Sequence, residues 1–192
     1  IVIHIHKLYK SASHDIYNMF ADISKLTHPR DYLSVLNAAI IVDIAFQVAL
    51  FIGLFQSPQL ARWYELFHIN AAIADILILV IGVLLASIFY DYIFSEWSIW
   101  NFLLLALGIQ IIHDILFYAL VIKPFPRGKN RMMDVFKKYA DDHGGGAIFG
   151  DSLMMISTVL LSAIFKNYSL NHNIIISIFS IYLLPYVLYT KV

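Results

Sequence analysis

The sequence has no cysteine and few charged residues. Because thiols are absent, disulfides, thiolate metal sites and cysteine nucleophiles are excluded. Only 14% of the 192 residues are charged, whereas 60% are hydrophobic, and the mean hydropathy is +0.75. Soluble domains are about 45–50% apolar and about 25% charged. The composition therefore indicates an integral membrane protein.

The chain also lacks an excess of charge of either sign and the motifs of common enzyme classes. Its 13 Lys and Arg residues balance its 13 Asp and Glu residues, so no basic field indicates nucleic-acid binding. HExxH, repeated HxxxH, GxSxG, Walker A and GxGxxG motifs are all absent. No catalytic residues are predicted, and the sequence identifies no cofactor.

Long apolar runs are what the sequence has in abundance. A helix needs about 20 mainly apolar residues to cross the hydrocarbon of a bilayer. Five segments meet or approach this length, which predicts an all-α polytopic membrane bundle whose transmembrane domain covers residues 34–192. The five segments are residues 34–54, 71–90, 101–122, 147–165 and 174–189. Pro185 is expected to kink the fifth.

Antiparallel threading of five spans places the N-terminus on one side of the membrane, here called side A, and the C-terminus on the other, side B. More Lys and Arg residues fall on side B, so the positive-inside rule predicts that side B is cytoplasmic. The basic residues assigned to side B are Arg62, Lys123, Arg127, Lys129, Arg131, Lys137, Lys138 and Lys191.

Two segments outside the long spans have an interfacial composition. Residues 1–33 are predicted to form an N-terminal interfacial segment. Within it, Ile16, Phe20, Ile23 and Leu26 recur at helical spacing, which predicts an amphipathic helix before the first span. Residues 59–68 combine Trp63 and Tyr64 with charged neighbours, which is typical of an aromatic belt at the membrane interface.

The longest side-B connection, residues 123–146, combines a proline-rich turn with a basic amphipathic helix predicted at about 130–142. Its basic residues are suited to bind either anionic lipid headgroups or an acidic partner protein. These candidates are Arg127, Lys129, Arg131, Lys137 and Lys138. A bound lipid, a homo-oligomer and a membrane-complex partner are all compatible with this loop, whereas no nucleic-acid partner is expected.

Four of the five predicted spans carry ionisable residues, although an Asp at the centre of a membrane helix costs about 2.5–3.5 kcal/mol. Helical phase places each one on a face with small or polar residues, so we expect them to face a common interior towards side B. The candidate residues are Asp43 and Gln47 in the first span, Asp75 in the second, Gln110, His113 and Asp114 in the third, and Asp151 in the fourth.

These polar residues have three open interpretations. They form structural hydrogen bonds between helices, they relay protons or bind an oxygen-ligated cation such as magnesium, calcium or manganese, or they take part in catalysis. A single His among carboxylates is sparse for zinc. The Gly150, Asp151 and Ser152 run is interpreted as a helix entry that satisfies free N–H groups.

The segment from residue 113 to 155 reads HDILFYALVIKPFPRGKNRMMDVFKKYADDHGGGAIFGDSLMM. It combines an HD pair, a PxPxGxN turn, a DVFKxYA helix and a DS pair. In this combination it resembles uncharacterised multi-pass membrane proteins of the nucleocytoplasmic large DNA viruses. The resemblance covers under a quarter of the chain. It implies a viral protein of host or virion membranes and no known activity.

Two main functions follow from the sequence. The first is a non-enzymatic membrane component that organises lipid or a partner at the side-B surface. The alternative is a small proton or cation channel or transporter that uses the intramembrane Asp and His cluster after oligomerisation. A membrane-embedded enzyme is the third.

Overall fold

The computed structural model describes residues 19–143 and 145–190, and within these ranges the chain forms seven α-helices and no strand. The helices are α1 (Pro29–Phe51), α2 (Pro58–Phe67), α3 (Ile69–Ile93), α4 (Ile99–Phe117), α5 (Arg131–His143), α6 (Gly145–Phe165) and α7 (Leu170–Leu188). A π-helical turn, Tyr118–Ile122, continues α4. The all-α prediction is confirmed.

Five helical segments are long and apolar enough to cross a membrane, which confirms the multi-pass prediction. They are Pro29–Phe51, Ile69–Ile93, Ile99–Ile122, Ile148–Phe165 and Leu170–Leu188. The first begins earlier than predicted because Pro29 occupies its first turn and the Asp31 carboxylate accepts the backbone N–H groups of Thr27 and His28, both at 3.0 Å. The last continues through Pro185 to Leu188.

Helix α1 lies at the centre of the bundle. It packs against α3, α6 and α7, while α4 packs against α3 and α6. In α1, 56% of the span is buried inside the bundle, against 17–33% in the other four spans. Small and polar residues such as Ser34, Ala38 and Ala39 are fully buried on α1, and they allow neighbouring helices to approach closely.

Contacts at the helix ends agree with antiparallel threading. At the side-A end, the Lys166 ammonium that follows α6 donates to the carbonyls of Asp22 (2.6 Å) and Lys25 (2.5 Å), which precede α1. At the side-B end, the His68 ring before α3 stacks on Tyr189 after α7, with centroids 5.0 Å apart. Which end faces the cytoplasm stays a prediction.

The predicted amphipathic helix before α1 is wrong for its described part, because residues 20–28 form turns and irregular chain. The Asp22 carboxylate accepts the backbone N–H (2.9 Å) and the hydroxyl (2.6 Å) of Ser24, a local turn that competes with helix formation. Ile23 is fully buried in the bundle core instead of facing lipid. The part of the prediction before residue 19 lies outside the described residues.

Candidate functional site

Helix α2 lies across the side-B end of α1 and α3. It begins where the Ser57 hydroxyl accepts the backbone N–H of Leu60 (3.3 Å), followed by Pro58 in the first turn. Trp63 and Tyr64 are buried on its inner face. The predicted interfacial aromatics therefore point into the bundle.

The Asp43 carboxyl group of α1 is fully buried and has donors from two helices. The Tyr64 hydroxyl of α2 donates to Asp43 Oδ1 at 2.9 Å, and Gln47 Nε2, one turn further along α1, donates to Asp43 Oδ2 at 2.6 Å. The other amide atom, Gln47 Oε1, is buried with no hydrogen-bond partner among the described residues. Asp43 thus connects α1 directly to α2.

The Asp75 carboxyl group of α3 is held by the same short helix. Trp63 Nε1 donates to Asp75 Oδ2 at 3.0 Å, and the Tyr64 hydroxyl also interacts with Asp75. Burial raises the pKa of Tyr64 well above its ordinary value, and the neighbouring carboxyl groups of Asp75 and Asp43 act in the same direction. Two adjacent residues of α2 therefore bridge intramembrane acids of α1 and α3.

A second polar group joins α4 to α6. Asp114 accepts a hydrogen bond from Gln110 Nε2, and its Oδ1 lies 3.1 Å from His113 Nδ1. The Gln110 carbonyl in turn accepts the Ser152 hydroxyl of α6 at 3.0 Å. Since α6 already begins at Gly145, Ser152 and Asp151 lie inside the helix, and their predicted role at a helix entry is wrong.

Asp151 lies at the side-B end of the bundle-facing stripe of α6, below the buried residues Met155 and Thr158, and is itself solvent-exposed. It interacts electrostatically with Asp114 and Asp75. Tyr139 of α5 lies close to it: burial raises the pKa of the Tyr139 hydroxyl, and Asp151 acts in the same direction.

The predicted polar residues therefore fall into connected groups beneath α2 and α5, and not into one ligand shell. Among the described residues, no three His, Asp or Glu side chains are arranged to hold a metal ion. Further towards side A, the Thr158 and Ser162 hydroxyls of α6 donate to carbonyls of their own helix, at 2.8 and 2.6 Å.

Helix α5 confirms the amphipathic helix predicted in the loop, and its ends lie close to the predicted ones. Gly128 adopts a positive φ of 79°, a conformation that favours glycine, and its N–H donates to both carboxylate oxygens of Asp134 at 3.1 Å. The Asn130 side chain then accepts the N–H groups of Met132 (2.9 Å) and Met133 (3.2 Å). These bonds fix the turn and the start of the helix.

The structure separates the predicted lipid-binding residues by their partners. Lys137 donates to the carbonyls of Lys123 (3.1 Å) and Phe125 (2.5 Å), so it holds the turn that ends the third span. Arg127 pairs with Asp141 at 2.9 Å. The side chains of the remaining predicted residues form no hydrogen bond or ion pair with the described residues. They are Lys129, Arg131 and Lys138.

Aromatic packing fastens α5 to α2. The Trp63 and Phe136 rings lie with centroids 4.8 Å apart, and Phe136 meets Phe117 of α4 edge-on at 6.3 Å. Gln59 of α2 also donates to Asp142 of α5. We call the two packed helices, α2 and α5, the side-B cap.

A cavity of about 340 Å³ that is open to the outside lies between the two helices of the side-B cap. Arg62 and Leu66 of α2 line one wall, and Arg131, Val135 and Lys138 of α5 line the other. Arg127, Asp134 and Gln59 complete the lining. Four cationic side chains thus surround one carboxylate.

Sequence reasoning missed Trp63 and Tyr64 as partners of the intramembrane acids, and Arg62 as a cavity residue. The available signal was chemical: a buried Trp N–H or Tyr hydroxyl usually requires a hydrogen-bond partner. Arg62 directly precedes Trp63 and Tyr64 in the chain, so helical geometry places its side chain on a different side of α2 from theirs.

Comparisons with known proteins return no match: no protein-family model, curated protein or solved structure corresponds to this chain.

Proposed function

We propose that this multi-pass membrane protein is a non-enzymatic component that organises anionic lipid at the bilayer surface through its side-B cap. The observation that carries the proposal is the packing of two amphipathic helices, α2 and α5, at the same end of the bundle. Their apolar faces meet through Trp63 and Phe136, while basic side chains remain exposed around them.

Charge and position both support this function. A basic residue near an anionic bilayer surface contributes about 1 kcal/mol of attraction. Lys129, Arg131 and Lys138 are exposed and form no ion pair with the described residues, so their attraction is available to lipid. The spans on either side of α5 fix this helix beside the membrane surface.

Hydrogen exchange in nanodiscs tests the lipid-surface function. We expect amides of α5 to exchange more slowly when phosphatidylglycerol replaces part of the phosphatidylcholine, and added salt to reverse the effect. Substitution of Lys129 and Lys138 by Gln should reduce the difference. Exchange that is independent of lipid charge would contradict the proposal. The cytoplasmic orientation of side B and a viral origin are separate predictions that this experiment leaves unchanged.

A proton or cation pathway is the second candidate, because Tyr64 contacts the carboxyl groups of both Asp43 and Asp75 inside the bundle. A buried and a partly buried acid linked by a hydroxyl could begin a proton relay. Against it, Thr158 and Ser162 bond within their own helix. The lipid-surface function is therefore the leading proposal.

Reconstituted vesicles distinguish the pathway from the lipid function. If the pathway operates, pH-driven flux should exceed that of empty vesicles and should fall in the Asp75→Asn variant. Asp91→Asn is the matched control, because Asp91 is an exposed acid at the other end of the same helix. Equal flux in protein-containing and empty vesicles would eliminate the pathway.

A further inference from the structure

The side chains that line the cavity of the side-B cap carry more positive than negative charge. Of its four cationic side chains, Arg127 is paired with Asp141 outside the cavity lining. The single lining carboxylate, Asp134, is already fixed by the N–H of Gly128. Arg62 and Lys138 have no hydrogen-bond or ion-pair partner among the described residues.

Packing holds these like charges on facing walls. The packed rings of Trp63 and Phe136, tilted by 40°, fix the separation of α2 and α5, and the Arg131 guanidinium lies 6.0 Å from the centre of the Phe67 ring. Because this packing keeps the two walls at a fixed separation, an anion between them would relieve the repulsion among the cationic side chains.

The geometry points to a binding site for one phosphate-bearing lipid headgroup between Arg62, Arg131 and Lys138. This inference rests on the proposed lipid function and gives it a defined ligand. Arg side chains bind phosphate through paired N–H donors, and Lys adds a point charge. A terminal phosphate monoester, with up to two negative charges, matches several converging cations better than a diester with one.

Size and lining favour a lipid over a free anion. The cavity volume of about 340 Å³ lies near the lower end of the range for ligand pockets, about 300–1,000 Å³. It therefore has room for more than a phosphate group alone. Leu66 and Val135 provide apolar lining for the glycerol end of a lipid, whereas inorganic phosphate would leave this surface without a partner.

Competition between lipids in nanodiscs tests the site. The protein is reconstituted with phosphatidylcholine plus either phosphatidic acid or phosphatidylglycerol, at matched surface charge, and lipids retained by the protein are counted by native mass spectrometry. We expect retention of phosphatidic acid to exceed that of phosphatidylglycerol. Arg62→Gln and Lys138→Gln should each weaken retention of phosphatidic acid about fivefold.

Lys129→Gln is the matched control, because Lys129 is also exposed and basic but does not line the cavity. It should lower retention of the two anionic lipids by the same small factor. Equal losses for Arg62→Gln and Lys129→Gln would overturn the discrete site while leaving attraction to the anionic surface intact. Absence of any effect of lipid charge would remove both proposals.

A separate arm distinguishes a lipid from a free phosphate. Protein in detergent is titrated with inorganic phosphate and, in parallel, with short-chain phosphatidic acid. Binding is followed by intrinsic fluorescence of the three tryptophans, of which Trp63 lies beside the cavity, and a Trp63→Phe variant identifies its share of the signal. We expect the lipid to bind more tightly. Equal or tighter binding of inorganic phosphate would overturn the assignment to a lipid headgroup. Circular dichroism of each variant checks that the helices remain folded.

Discussion

Removal of the Tyr64 hydroxyl should destabilise the bundle by disconnecting α2 from α1. In Tyr64→Phe the ring is retained, so no cavity forms and the change is limited to one donor. The hydroxyl lies 2.9 Å from Asp43 Oδ1, and both residues are buried, at 3% and 0% exposure. Gln47 still donates to the other carboxyl oxygen.

The expected magnitude follows from that geometry. A buried acceptor that loses its donor costs about 1–3 kcal/mol, whereas hydrogen bonds within membranes average about 0.6 kcal/mol and reach about 1.7. We therefore expect Tyr64→Phe to lower the free energy of unfolding by about 1–2 kcal/mol, a factor of about 5–30 in the folding equilibrium.

Unfolding by sodium dodecyl sulfate in mixed micelles, followed by circular dichroism, measures this change. Tyr92→Phe is the control, because Tyr92 is 85% exposed and forms no hydrogen bond with the described residues. In an Asp43→Ala background the Tyr64 substitution should cost less, since the bond to Asp43 is already gone and only the interaction with Asp75 remains. Equal costs of Tyr64→Phe in both backgrounds would refute the reasoning.

Three further predictions concern packing, a partly buried cation and pH. Gly108→Ala should stabilise α4 by about 0.5–1 kcal/mol because a new Cβ meets no atom within 4 Å. Gly82→Ala should lose that gain, since its Cβ would clash with the end of the Met155 side chain, and denaturation of the two variants compares them. Lys166→Met should cost about 2–3 kcal/mol because two backbone carbonyls lose a charged donor, and a variant as stable as the natural protein would contradict this. Burial raises the pKa of Tyr64 above its ordinary 10.0, so its contribution is complete below that pH and is lost above it, as the unfolded chain ionises first. The melting temperature should therefore fall above about pH 10 more steeply in the natural protein than in Tyr64→Phe.

The fold was largely predictable because hydrophobic run length directly reflects bilayer thickness. The intramembrane acids were equally visible, since Asp43 and Asp75 interrupt apolar sequence. The ends of helices were less predictable. Ile23 has helical spacing, but a local Asp22 turn and burial in the core override that pattern. Likewise, α6 starts before the residue pair expected to cap it.

Partners across the bundle could not be predicted from one sequence. The sequence around Tyr64 reads the same whether its side chain faces lipid headgroups or an acid of the bundle. The angle at which α2 crosses the bundle decides which of the two the side chain faces. The cavity has the same origin, because Arg62 and Lys138 are far apart in the chain and meet only when Trp63 packs on Phe136. Local periodicity contains no information about such crossings.

The position of α1 at the bundle centre has a consequence for the order of assembly. Buried Asn37 of α1 donates to the backbone carbonyl of Asn173 in α7 at 2.8 Å, and its own carbonyl accepts the Ser177 hydroxyl at 2.6 Å. These partners are synthesised 136 and 140 residues later. Until α7 is inserted, the Asn37 side chain lacks these two partners, and an unsatisfied amide inside the membrane costs free energy that pairing with α7 removes. A chain truncated before α7 should therefore reveal its incompleteness at α1, far from the missing end.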